Sequence, residues 1–209
     1  MAMMTGASCA VADHSADLPK PDADIALGKP GEVRKAVLAS GCFWCTQAVF
    51  EQIPGVTEVT SGYAGDTRAN AVYQMVCSDT TKHAECVQVT YDASKVSYGR
   101  LLQVFFTTHD PTTLNRQGPD QGTQYRSAIF YADDEQKRVA GAYIKQLDAA
   151  KAFDKPIVTT LEPLVEFYSA EQYHQDYAKL NPFNPYIQRY ATPKAQKAKA
   201  KFGEATTRP

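Results

Sequence analysis

Gly41-Cys42-Phe43-Trp44-Cys45 joins a short β-branched run, Lys35 to Ser40, to an amphipathic segment, Thr46 to Ile53. The order predicts a thiol at a strand-to-helix junction. A helix N-terminus offers unpaired backbone N–H groups and partial positive charge, so a cysteine there is expected to favour the nucleophilic thiolate. Phe43 and Trp44 add an apolar wall, which suits attack on a small substrate with an apolar end. Cys42 and Cys45 also have the C-x-x-C spacing of redox dithiols. The five cysteines (Cys9, Cys42, Cys45, Cys77, Cys86) are an odd number in a chain large enough to fold without staples, which argues against a disulfide framework.

A carboxyl group of catalytic type lies in His83-Ala84-Glu85-Cys86-Val87-Gln88-Val89-Thr90-Tyr91. Strand alternation places Glu85, Val87, Val89 and Tyr91 on one face and Cys86, Gln88 and Thr90 on the other. Burial on the apolar face without a cation disfavours the charged form, so Glu85 is expected to keep its proton and serve as a general acid. The alternative leaves Glu85 in water at the start of an edge strand. A third cluster, Asn115 to Arg126, is a polar, glycine-containing loop running into a strand, with Asp120 supplying a carboxyl group and Tyr125 a phenol. Tyr63 and Tyr73 fall in other stretches read as irregular. Each tyrosine has packing as its alternative role.

The elements that must position these groups follow from periodicity. Strands are predicted near Lys35–Ser40, Val56–Gly62, Glu85–Tyr91, Arg126–Tyr131 and Ile157–Leu161. Helices are predicted after Cys42, from Tyr98 to His109, and from Asp133 through Leu147. This order suits an α/β (α+β) two-layer sandwich with a mostly antiparallel, ferredoxin-like βαββαβ core. Residues 1–33 and 192–209 read as flexible tails around a single catalytic domain, 34–191. At 209 residues, 44% hydrophobic, with net charge −1, the chain has no bias toward nucleic acid or membrane. No run approaches a membrane span and no charged-then-apolar leader opens the chain, so the cytoplasm is the expected address. Gly-Ala-Ser-Cys-Ala at 6–10 leaves an exported or lipid-anchored precursor as the alternative.

Several of these segments together resemble the peptide methionine sulfoxide reductase A family. They are Gly41-Cys42-Phe43-Trp44, Ser61-Gly62-Tyr63-Ala64-Gly65, Tyr73 with Val76-Cys77-Ser78, His83-Ala84-Glu85, and Asp120 through Ser127. The match spans roughly residues 35 to 190 and implies a two-layer α/β fold with a βαββαβ core. It also implies reduction of the S epimer of methionine sulfoxide, free or in proteins, which repairs a common oxidative lesion. Cys42 would attack the sulfoxide sulfur and become a sulfenic acid while Glu85 protonates the oxygen. Phe43 and Trp44 would hold the S-methyl group, Tyr73 and Tyr125 the oxygen, and Asp120 would line the site. The resemblance implies no metal or bound organic cofactor and electrons from an external thiol (thioredoxin, or dithiothreitol in vitro); a monomer is expected.

Many members carry recycling cysteines in a C-terminal tail, whereas this chain has none after Cys86. Cys45, one helical turn from Cys42, is the expected resolving thiol, with thioredoxin reducing the disulfide. Cys77, Cys86 or direct attack by an external thiol are the alternatives. His174, in Glu171-Gln172-Tyr173-His174-Gln175-Asp176-Tyr177, borders the pocket or bonds a loop carbonyl. Two other classes fit part of the sequence. A thioredoxin-type dithiol/disulfide oxidoreductase using Cys42 and Cys45 needs neither Glu85 nor Asp120, and a zinc module would need Cys42, Cys45, Cys77 and Cys86 together.

Overall fold

Small and β-branched residues alternate along Val33–Ser40 (β1), so Ala36 and Leu38 face one side of the sheet while Val37 and Ala39 face the other. The computed structural model describes residues 17–204. Cys9 and the 6–10 stretch lie outside them. β1 leads through Gly41 into α1 (Phe43–Phe50), then β2 (Val56–Ala64), a short α2 (Tyr73–Cys77), β3 (Ala84–Asp92) and α3 (Tyr98–Thr108). A small hairpin, β4 (Arg116–Gln117) and β5 (Asp120–Gln121), precedes β6 (Ser127–Tyr131), α4 (Asp134–Ala149), β7 (Thr160–Pro163), β8 (Tyr168–Ser169), α5 (Tyr177–Leu180) and α6 (Thr192–Phe202).

The main sheet has the order β7-β6-β1-β3-β2-β8. All neighbours are antiparallel except β6 and β7. β3 therefore lies between β1 and β2, which run parallel to each other across the α1 crossover. Helical residues from α1, α3, α4 and α6 cover one face with Leu38, Val87, Val89 and Ile129. The other face carries Val37, Ala39, Cys86 and Phe130, packed under Leu164 and Phe167. The site residues gather at one end of the sheet because Tyr63 lies opposite Glu85 and Ser40 opposite Ser127 in the ladders.

Four expectations are corrected. Residues 192–202 form α6 rather than a tail: Ala198 and Phe202 enter the core, and Arg100 sits over the Phe202 ring at 4.4 Å. Residues 17–33 are docked rather than loose: Leu18 and Ile25 enter the core, Leu18 O accepts from Gln103 Nε2 at 2.8 Å, Pro19 O from the Tyr143 hydroxyl at 2.8 Å, and the Asp24 carboxylate from Gly99 N at 2.6 Å. The strand expected at Ile157–Leu161 begins at Thr160 and pairs in parallel with β6. Tyr63 belongs to β2, and Tyr73 opens α2. Among the described residues, no helix is long and apolar enough to cross a membrane.

Candidate active site

The turn that presents Cys42 needs glycine at 41. Its φ is +87°, and a Cβ there would lie 2.5 Å from Gln117 Cβ. Gln117 cannot swing aside freely, because its amide group spans Asp110, donating to the carbonyl at 3.0 Å and accepting from the N–H at 3.2 Å. Cys42 occupies the cap position of α1, and its carbonyl accepts from Cys45 N at 3.1 Å and Thr46 N at 3.2 Å. The amphipathic segment expected from Thr46 to Ile53 starts at Phe43 and is buried on nearly all sides, because the sheet covers one flank and α6 another.

Glu85 sits on the apolar face of β3, 2% exposed, and its Oε2 accepts the Phe43 N–H at 3.1 Å. That bond uses an amide the helix start leaves free, so the carboxyl group fixes itself against the cysteine turn. Burial pushes Glu85 up to about 8; the Phe43 N–H opposes the shift, and the nearby Asp120 and Cys45 add to it. Glu85 therefore holds a proton at neutral pH, as its strand face predicts.

The thiolate expected at Cys42 is not the resting form. Cys42 is 7% exposed, and burial pushes its thiol well above the usual range, with Cys45 and Glu85 adding to the rise. Desolvation outweighs the helix N-terminus here, and the Phe43 amide is already committed to Glu85. Cys45, one turn on and 3% exposed, is lowered, first by a hydrogen bond from Cys42. Within the dithiol, the sulfur more ready to ionise is Cys45.

Around the pair stands an aromatic wall. Phe43 and Trp44 follow the thiol directly, with ring centroids 6.4 Å apart. Trp44 is held by three contacts: its indole N–H donates to His174 Nδ1 at 3.2 Å, its ring stacks on Tyr177 at 3.8 Å, and Tyr186 approaches edge-on at 6.1 Å. Because Nδ1 accepts, the His174 proton lies on Nε2, which is buried without a partner. Tyr73 packs on the same imidazole at 4.3 Å. Tyr125 joins the cluster of Cys42, Cys45, Ile187 and Ala191. Burial raises the Tyr73 and Tyr125 phenols, so both remain hydrogen-bond donors.

Asp120 is reached through a residue absent from the sequence argument. The Tyr186 hydroxyl donates to Asp120 Oδ2 at 2.5 Å and receives a long contact from Cys45 Sγ at 3.9 Å. Burial raises Asp120, partly offset by the Tyr186 bond and by Lys194. Glu171 also escaped the sequence reading. It accepts from the Tyr63 hydroxyl at 2.9 Å and from Tyr73 N at 2.9 Å, locking the start of α2. Glu171 and His174 lie in the segment already singled out, and Tyr177 closes it; Tyr186 had no local pattern to mark it.

All eight residues selected from the sequence, Cys42, Phe43, Trp44, Cys45, Tyr73, Glu85, Asp120 and Tyr125, thus surround one end of α1. The other cysteines divide. Cys77 ends α2, the helix that Tyr73 opens, whereas Cys86 lies on the far face of the sheet with its Sγ 3.6 Å from Gly62 O. The four cysteines of a zinc module are not gathered, and no cluster suited to a metal occurs among the described residues.

This arrangement sets a thiol beside a protonated carboxyl group and an apolar wall, with phenols nearby: a site for reducing a polar oxygen on an apolar sulfur compound. Comparison with known proteins agrees. The family model described as "Peptide methionine sulfoxide reductase" matches residues 34–206. A "Peptide methionine sulfoxide reductase MsrA" of Haloquadratum walsbyi is 52% identical over 172 residues, covering 82% of this chain and 98% of that protein. The crystal structure of Mxr1 from Saccharomyces cerevisiae in reduced form is similar at TM-score 0.70 and 33% identity, covering 79% of this chain and 92% of that one. The Mxr1 chain in complex with Trx2 is similar at TM-score 0.51 and 25% identity, covering 71% and 87% respectively.

Proposed function

Because the chain belongs to the peptide methionine sulfoxide reductase family, we propose that the cluster around Cys42 is its active site and that Cys45 regenerates it. The reaction is thiol-dependent reduction of methionine sulfoxide to methionine, with recycling by thioredoxin. The reading extends to the S epimer, free or within proteins.

The observation that carries the assignment of roles is Glu85: a buried, protonated carboxyl group bonded to the N–H of the residue after Cys42. Substrate enters with its S-methyl group against Phe43 and Trp44 and its oxygen toward Glu85, Tyr73 and Tyr125. The phenols donate to the oxygen as negative charge grows there, and Glu85 delivers a proton. The Cys42 sulfur bonds to the sulfoxide sulfur and gives up its own proton, which restores the Glu85 carboxyl. The S–O oxygen passes to Cys42 as a sulfenic acid, methionine leaves, and two electrons have moved from Cys42 to the substrate. Cys45 then closes a disulfide with Cys42, and thioredoxin opens it by exchange.

Two features support this over a thioredoxin-type disulfide reductase. Glu85 and Asp120 crowd the dithiol with acid groups such a reductase does not need, and both sulfurs are under 10% exposed, poorly placed for direct exchange with large disulfide substrates. The test is conversion of peptides carrying each sulfoxide epimer, with dithiothreitol as reductant. Methionine is expected from the S epimer only, and none with Cys42→Ser. Absence of S-epimer conversion, together with reduction of protein disulfides, would overturn the reading.

A further inference from the structure

We propose that Lys194 is a positioning residue for the resolving step: its ammonium group, carried beside the dithiol by α6, favours the Cys45 sulfur as the nucleophile that attacks the Cys42 sulfenic acid. The inference rests on the reading of Cys45 as the resolving thiol.

The geometry begins with the C-terminal helix. A π-turn, Ile187–Ala191, leads into α6, and its Ile187 and Ala191 pack in one cluster with Cys42 and Cys45. Insertions of this kind concentrate at functional sites. Ala191, Lys194 and Ala198 follow at helical spacing of three and four, so Lys194 lies one turn along the stripe that begins on the dithiol and ends in the core at Ala198. Lys194 is half-buried and, among the described residues, takes part in none of the ion pairs found. Its charge acts on Cys45, on Asp120 and on His109, three groups from three different elements.

The groups facing Cys45 make the need for a cation clear. Cys42 and the Tyr186 hydroxyl share hydrogen bonds with its sulfur. Asp120 opposes ionisation by its own charge, and Glu85 lies close enough to be affected by a Cys45 anion. Tyr125, Tyr177 and Tyr190 complete the wall. Lys194 is the cation of this set. In the resolving step the Cys45 anion bonds to the sulfenic sulfur, the S–O bond breaks, and the oxygen leaves as hydroxide that takes a proton from solvent to become water. Cys45 is oxidised and the sulfenic sulfur reduced by the same electrons, so no further reactant is needed.

The test follows the Cys45 sulfur directly and then its reaction. In a Cys42→Ser background, ultraviolet thiolate absorbance against pH, taken as the difference from Cys42→Ser/Cys45→Ser protein, reports Cys45 ionisation. Adding Lys194→Met is expected to move the midpoint up by about one pH unit, the order of a single nearby charge in a partly buried site. Lys194→Arg should restore it, and Lys199→Met, exposed on the same helix, should leave it in place. In the otherwise native enzyme, single turnover without reductant should show disulfide closure at pH 7 slowed about tenfold by Lys194→Met, with one methionine still released per enzyme. Coincident titrations and closure rates for Lys194→Met and wild type would overturn the inference. Cys45→Ser enzyme that still closed an intramolecular disulfide at the native rate would instead overturn the resolving role of Cys45, a separate failure.

Discussion

Replacing Glu85 by Gln should stabilise the fold and destroy the reaction. Gln keeps the shape and can still accept the Phe43 N–H that Glu85 Oε2 takes at 3.1 Å, but it neither ionises nor gives a proton. In the native protein the carboxyl group is raised from 4.5 to about 8 by burial. A folded-state pKa above the unfolded value means that the folded state binds the extra proton. The associated stability is fully present below pH 4.5 and is lost as pH rises toward 8. At pH 7 the loss covers about 2.5 units at about 1.4 kcal/mol each, or about 3 kcal/mol. Urea unfolding of both proteins between pH 5 and pH 8.5 measures it directly. Glu85→Gln is expected to gain on wild type progressively with pH, by about 3 kcal/mol at pH 7, while sulfenic acid formation falls about 10²- to 10⁴-fold. The native rate should also decline above about pH 8, as Glu85 loses its proton. Parallel stability curves for the two proteins across this range would refute a buried, protonated Glu85.

Other perturbations probe the surrounding frame. Gly41→Ala should cost more than about 1 kcal/mol in urea unfolding, since it combines a positive φ with a clash against the tethered Gln117; a neutral change would show that the turn is not fixed. Phe202→Ala should cost about 3–5 kcal/mol, because the ring is buried beneath Arg100; a loss below about 0.5 kcal/mol, the size of an ordinary surface change, would mean that α6 does not dock. Alkylation of Cys42 in Cys45→Ser protein should accelerate with pH without a plateau below pH 9, following the direction in which burial moves the thiol. A plateau near neutral pH would mean that the helix N-terminus prevails over desolvation.

The site was more legible in the sequence than its surroundings. Glu85 could be placed because strand alternation is strict: Val87, Val89 and Tyr91 carry it to the buried face and turn Cys86 away. Cys42 could be placed because Gly41 breaks a strand at the start of a helix. Its protonation could not, since the sequence shows the helix terminus but not the Glu85 carboxyl that occupies the Phe43 amide, nor how completely the sulfur is buried. Residues 192–202 read as a tail because lysines and alanines give little hydrophobic signal, yet Ala191, Ala198 and Phe202 suffice to bury one stripe. Residues 17–33 were opaque for a different reason: Leu18 and Ile25 enter the core singly, and the Asp24 carboxylate and a few backbone carbonyls anchor the rest, which leaves no periodic pattern to read. Tyr186 meets Asp120 across 66 residues, a contact without local periodicity.

In the proposed cycle Cys42 takes the sulfoxide oxygen and Cys45 removes it. Mass analysis of the reduced enzyme after one turnover on an S-epimer sulfoxide peptide, without added thiol, tests this most directly. One methionine per enzyme is expected, with a loss of two hydrogens and a peptide pair joining Cys42 to Cys45. A bond from Cys42 to Cys77 or Cys86, or a persistent Cys42 sulfenic acid with Cys45 free, would contradict it.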